Sequence, residues 1–235
     1  ASMADDKAWT GAFDNLATKA DKEHLHQIAG WFDLDDPTVW SRHVLDVVGD
    51  ALPTEGRVFE AGCGVLAFLK VLLEAQPRIR IAGVDGSADA IARAKTEVAP
   101  SLNQDPEAFS HGMLPAALTT QPSEEFELTV CNSVLQYVPR SDCDKVISEM
   151  LRMTKPGGSV VLGDLCHEQT REALNAKLRE HWEGYGDSLP EYTLFREEEF
   201  EDFTKQGIKV KVSRSSVKEY TRRNERFNVV LTKPQ

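Results

Sequence analysis

Two carboxylates and two glycines stand where a chain can grip a nucleoside. Glu60-Ala61-Gly62-Cys63-Gly64 follows the apolar run Arg57-Val58-Phe59 and precedes a helical pattern, Leu66, Leu69, Leu72 and Leu73. The order is strand, glycine turn, helix. Glycine lacks a Cβ and tolerates positive φ, so such a turn lets the backbone pass close to a ligand. The helix start behind it offers unpaired N–H groups and the positive end of a dipole. A second strand, Ile79 to Val84, ends at Asp85. A carboxylate at that tip can hold both hydroxyls of a ribose. The pattern predicts a site for a nucleoside-bearing cofactor.

The turn alone does not choose the cofactor. Gly62-Cys63-Gly64-Val65-Leu66-Ala67 fits G-x-G-x-x-A, and with Asp85 about twenty residues on it also fits a dinucleotide fingerprint. Glu60 tilts the choice. An acid just before the first glycine can face a cationic amino group and would repel a pyrophosphate. S-adenosylmethionine has an α-amino group and no phosphate. A strand-tip acid facing water is the plainer alternative. An NAD-dependent oxidoreductase of this size needs a Tyr/Lys or His/Asp pair to move the alcohol proton, and the sequence has no Tyr-x-x-x-Lys.

The elements that must position these residues alternate along the chain. Strands are expected at 57–60, 79–85, 108–111, 126–131 and 159–163, with helices at 65–75, 88–98 and 142–153, the last capped by Ser141. This alternation implies a parallel sheet with helices on both faces. Pro156-Gly157-Gly158 reads as a turn. After the fifth strand a long helix runs from Glu168 to Trp182 and a shorter one from Glu197 to Thr204. The last two strands, Ile208 to Val212 and Phe227 to Leu231, are joined by a polar stretch too short for a helical crossover, so they should pair antiparallel. Residues 5–52 read as helical, through Leu16, Ala20 and Leu25, with Pro37 opening a second helix. The expected architecture is α/β: a doubly wound, mostly parallel seven-stranded sheet with the last strand antiparallel. An N-terminal helical cap or lid at 1–53 precedes a Rossmann-like domain at 54–235.

Three motifs together carry a family resemblance. They are the acid–glycine turn with Asp85, the block Cys131-Asn132-Ser133-Val134-Leu135-Gln136-Tyr137-Val138-Pro139, and Lys155-Pro156-Gly157-Gly158. The chain from about Thr54 to Lys233 resembles the class I S-adenosylmethionine-dependent methyltransferases. It departs from their E/D-x-G-x-G-x-G motif in having Leu66 at the third glycine.

The resemblance implies roles. Glu60 and Gly62, with Cys63 between the glycines, would surround the methionine part, Glu60 acting on the amino group. Gly64 would admit the backbone to the cofactor, and Asp85 would take the ribose hydroxyls. Gly86 and Ser87 would line the adenosine side, Ser87 being as readable as a helix cap. Met113 would pack on adenine or present its N–H, although it also reads as core filler. Asn132 would close the methionine side, with Ser133 beside it.

Methyl transfer from a sulfonium needs alignment and exclusion of water more than it needs metal or base. Acceptor-side candidates are Tyr137 after strand four, and Asp164 and His167 after strand five. His111 also qualifies, and Trp9 and Phe13 would lid the pocket. His167 is the candidate base, against a solvated histidine near a helix start. Trp31, Phe32 and Trp40 read as cap core.

The acceptor is expected to be a small molecule, nitrogen or oxygen ahead of sulfur or carbon. Asn132-Ser133-Val134-Leu135 is not the N-P-P-aromatic form that methylates amines on bases, and no Pro-Cys suits pyrimidine chemistry. A net charge of −11 over 235 residues argues against a nucleic-acid partner. The four cysteines, Cys63, Cys131, Cys143 and Cys166, fit no zinc or redox spacing and read as reduced thiols of a cytoplasmic protein. No apolar run approaches the ~18–20 residues of a membrane span. No basic-then-apolar leader is visible, and Ala1-Ser2 before Met3 resembles a cloning remnant. Two other readings stay open: an NAD enzyme on the same turn, and an inactive methyltransferase-like partner protein. The oligomeric state is not legible.

Overall fold

The computed structural model describes residues 9–11, 13–14, 17, 25–28, 36–181 and 192–235. Leu16, Ala20, Trp31, Phe32 and Trp182, used above to read the cap and the long helix, lie outside these residues. One sheet of seven strands organises the chain in the order β3-β2-β1-β4-β5-β7-β6. The strands are β1 (Gly56–Ala61), β2 (Ile79–Asp85), β3 (Phe109–His111), β4 (Phe126–Asn132), β5 (Thr154–Cys166), β6 (Lys209–Ser213) and β7 (Arg226–Thr232). The first five pair in parallel, while β7 runs antiparallel to both β5 and β6. The expected fold class therefore holds, with β7 slotted between β5 and β6.

Alternation along the strands makes two cores, because successive side chains point to opposite faces. Val58, Val130 and Val161 pack on one face with helices α1 (Pro37–Val48), α2 (Ala67–Ala75) and α3 (Ala88–Arg93). Phe59, Cys131, Val160 and Leu162 pack on the other with Val146, Ile147 and Met150 of helix α4 (Arg140–Met153). Helix α1 begins at Pro37, as expected, with the Asp36 carboxylate accepting the Thr38 N–H at 2.8 Å. The Trp40 and Val44 side chains share the core of α2, so α1 is bound to the sheet domain by burial.

Some boundaries move. The expected helix 88–98 is α only to Arg93, then passes through a wider π turn at Ala94–Val98. Helix α4 starts at Arg140 after Pro139, and Ser141 does not cap it. β5 absorbs the predicted Pro156–Gly158 turn and runs on to Cys166. The segment expected as one long helix opens with a 3-10 turn, Glu168–Thr170, before helix α5 (Arg171–His181). Among the described residues no helix is long and apolar enough to cross a membrane.

Candidate active site

The parallel strands β1, β2 and β4 all end on one side of the sheet, and β1 sits where the strand order reverses. Clefts form at such reversals because the helices on either side diverge to opposite faces. A cleft opens there, and every cofactor-side candidate lines it: Glu60, Gly62, Cys63 and Gly64 from β1 and its turn, Asp85, Gly86 and Ser87 from β2, Met113, and Asn132 and Ser133 from β4.

The turn is held by backbone bonds. Gly62 and Cys63 both donate to the Val84 carbonyl, at 2.7 and 3.0 Å. Gly62 has φ +84, and a Cβ there would lie 2.3 Å from Val134, so only glycine fits. Gly64 has φ +48, and Leu66 adopts the left-handed conformation at φ 67. The position where the resembled family has its third glycine thus keeps a glycine-like backbone in this chain. Burial of the Leu66 side chain, 0% exposed, offsets the local cost.

The two carboxylates are differently placed. Asp85 is half-buried, with Oδ2 accepting from Gly64 N–H and Oδ1 from Ser87 N–H, each at 2.8 Å. Burial raises its pKa against those two bonds. Asp14, from the N-terminal segment, accepts from Ser87 Oγ at 2.5 Å and adds to the rise through its charge. Glu60 is 2% exposed. Burial, and after it the charge of Asp85, push its pKa well above the usual carboxylate range. Its Oε2 has no hydrogen-bond partner, and neither has Asn132 Oδ1 on the neighbouring strand tip. A buried acceptor without a donor is costly, so two of them in one cleft mark where a ligand's donors belong.

Residues 59–160 match the sequence model of a methyltransferase domain. The sheet that carries them has a Rossmann-like, doubly wound order with an antiparallel edge.

No curated protein matches the chain. The fold is similar to phosphoethanolamine N-methyltransferase 2 of Haemonchus contortus, solved with phosphomonomethylethanolamine and S-adenosylhomocysteine, at 17% identity and a TM-score of 0.58. That match covers 83% of this chain and 52% of the other, so this chain spans about half the length of the worm protein. DhpI, in a complex with SAM and HEP, is similar at 16% identity and a TM-score of 0.62, with all of both chains covered. A chain from the Haloferax volcanii complex that holds the Trm112 methyltransferase activator is 18% identical, with 95% and 98% covered and a TM-score of 0.60. At these identities the likeness is one of fold.

The acceptor-side candidates separate. Tyr137 lines the cleft, as do Trp9, Phe13 and Trp40. Its ring meets Trp9 at 4.7 Å, Phe13 at 5.2 Å and Tyr192 at 5.3 Å between centroids. Burial, then Tyr192, push the Tyr137 phenol pKa well up. His167 is 5% exposed and lies outside the cleft lining. Its Nδ1 accepts the Gln169 N–H at 3.1 Å, the geometry of a helix cap. This departs from the solvated histidine the sequence suggests as well as from a base facing the cleft. His111 also lies outside the lining, with Nε2 3.1 Å from the Gly86 carbonyl.

Asp164 is buried behind the cleft wall. It accepts from Ser133 Oγ at 2.5 Å and from the Tyr220 hydroxyl, and Arg226 Nη1 stands 3.8 Å from its Oδ2. Burial alone would raise its pKa, but Arg226, His43 and these hydroxyls outweigh it and hold the carboxyl below its ordinary range. Tyr192, Tyr220, Arg226 and Asp14 give no motif signal in the sequence. Each reaches the site from an element distant in the chain.

Proposed function

We propose that this chain catalyses methyl transfer from S-adenosylmethionine to a small-molecule nucleophile, with nitrogen or oxygen as the accepting atom. One observation carries the reading: two buried acceptors without donors, Glu60 Oε2 and Asn132 Oδ1, stand on neighbouring strand tips, with the pinned carboxylate of Asp85 on the other side of β1. An ammonium at one end of a ligand and a diol at the other would answer these demands.

In this reading Glu60 and Asn132 accept from the amino group of the methionine moiety. Asp85 accepts from the ribose hydroxyls with the lone pairs that Gly64 and Ser87 leave over. Gly62 and Gly64 keep the turn free of side chains, Cys63 and Ser133 bound the methionine side, and Gly86, Ser87 and Met113 bound the adenosine side. Bound there, the cofactor supplies a methyl group already activated by a positive sulfur. Tyr137, Trp9 and Phe13 wall the approach to that methyl and exclude water, which is where orientation gains its several kcal/mol. His167 and Asp164 do not reach it: one caps a turn and the other holds Ser133 from behind.

The mainly apolar lining of the cleft suits a small acceptor rather than a nucleic acid or a membrane surface. The −11 charge and the four buried free thiols suit a cytoplasmic protein. Calorimetry with S-adenosylmethionine and S-adenosylhomocysteine tests the cofactor reading, with micromolar binding of both expected. A folded chain that binds neither refutes it. Release of S-adenosylhomocysteine on adding fractionated metabolites then tests turnover.

A further inference from the structure

We infer that the methyl acceptor is an amine, and that Trp9, Phe13 and Tyr137 form the wall against which its nitrogen becomes cationic. This rests on the reading of the cleft as an S-adenosylmethionine site and concerns the side of it that the cofactor residues leave over.

The wall is fixed in place. Tyr137 is its hub, with Trp9, Phe13 and Tyr192 around it at interplanar angles of 58°, 77° and 85°. Such tilted and edge-on pairs set the positive rim of one ring on the negative face of another and resist rotation. The Tyr192 segment is tied down behind them: Thr193 N–H donates to the Gln136 carbonyl at 2.8 Å and Thr193 Oγ1 to the Val138 carbonyl at 2.7 Å. Trp9 is 4% exposed, buried between Tyr137 and Tyr192. Three of these rings line the same cleft as Glu60 and Asp85. Ring quadrupoles and carboxylates act in one sense, favouring positive charge in the space between them.

That field decides between acceptors. An alcohol must give up its proton as the new bond forms, which calls for a base in contact with it. In the reading above the carboxylates of Glu60 and Asp85 are taken up by the cofactor, and burial keeps the Tyr137 phenol and the Cys63 thiol protonated. An amine needs no base in contact once its ammonium form has given a proton to water on entering the cleft. Its lone pair forms the N–C bond while the C–S bond breaks, the bonding pair staying on sulfur. The positive charge passes from sulfur to nitrogen, and the ammonium product gives its extra proton to water after leaving. Total charge in the cleft is the same before and after the step. A pocket that favours a sulfonium therefore also favours the ammonium, provided rings surround the nitrogen.

The test is binding rather than turnover. The full chain, saturated with S-adenosylhomocysteine, is titrated with choline and with its neutral isostere 3,3-dimethylbutan-1-ol, following heat and tryptophan fluorescence. The cation should bind at least about tenfold tighter. That preference should vanish in Trp9→Leu and Tyr137→Leu and persist in Tyr137→Phe, which keeps the ring. Equal affinity for the two probes, no binding of the cation, or a preference that survives both leucine variants would overturn the inference. Affinity for S-adenosylhomocysteine, measured first in each protein, reports folding. Its absence in the wild type would overturn the cofactor reading instead. With matched acceptors, 2-phenylethylamine should accelerate S-adenosylhomocysteine release, and acceleration by 2-phenylethanol alone would count against the amine.

Discussion

The backbone N–H of Gly64 donates to Oδ2 of Asp85 at 2.8 Å, joining the glycine turn after β1 to the tip of β2. Ser87 N–H holds the other oxygen at the same distance, so the plane of the carboxylate is set before any ligand arrives. Preorganisation of this kind lowers the cost of binding.

Asp85→Ala should weaken S-adenosylmethionine binding at least about tenfold, since hydrogen bonds to a charged group contribute about 1.5–3 kcal/mol. Asp85→Asn should fall between, because an amide cannot accept both N–H groups with the same strength. Calorimetry decides, and an unchanged affinity in the alanine variant would take Asp85 out of the ribose role.

Glu60 should lose a proton when the cofactor binds. Burial, then Asp85, raise its pKa well above 4.5 in the ligand-free protein, and an ammonium beside Oε2 would draw it down. Binding heats in phosphate and Tris buffers should differ by up to one released proton, and affinity should rise with pH until the raised pKa is passed. The linkage has a second face. A carboxyl with a raised folded pKa contributes stability in full below 4.5 and loses it as pH rises through the folded value. Glu60→Gln should therefore remove the proton release and resist alkaline unfolding better than the wild type. Identical heats in both buffers would sink this account of Glu60.

Leu66→Gly restores the residue the resembled family carries but should destabilise the fold. Relief of the left-handed backbone is worth about 1–2 kcal/mol. Loss of a fully buried leucine costs about 2–5 kcal/mol. A net loss of about 1–3 kcal/mol in urea unfolding is expected. A variant as stable as the wild type would mean the backbone cost was underestimated.

Asp164→Asn should cost about 3–5 kcal/mol, the usual result of stranding one partner of a buried ion pair, here Arg226. The lowered pKa of Asp164 fixes the sign with pH. Its contribution is present above the ordinary 3.8 and fades as pH falls through the lower folded value. The wild type should thus lose stability on the acid side in a step the variant lacks, read from unfolding midpoints between pH 6 and 2. Parallel acid profiles would count against the network.

Much of this fold is decided locally. The strand–turn–helix at 56–75 follows from two glycines between a strand with a continuous buried run and a largely apolar helix, and neighbours in sequence suffice for that. The same holds for β2 and its terminal Asp85, predicted to the residue. The cleft residues at the strand tips are legible because backbone geometry places them: the tips of parallel strands and the turns after them face the same side.

Tyr137, Trp9 and Phe13 line the cleft as expected, whereas Asp164 and His167 do not, and β5 shows why. Its register against β7 shifts between Leu162 and Leu165, so one extra residue enters the strand. A bulge re-aims the side chains beyond it. Asp164, at φ 57, turns inward to Ser133 and Tyr220, and its N–H donates to Asn228 Oδ1 at 2.8 Å. His167, just beyond, becomes a cap. No spacing in the sequence announces that shift, because it depends on what β7 offers some sixty residues later. Trp9, Tyr137 and Tyr192 likewise become one wall only when three distant segments pack together. Local periodicity therefore placed the glycine turn and the two strand-tip carboxylates in one cleft. Long-range packing, which no short pattern encodes, decided which side chains wall the rest of that cleft.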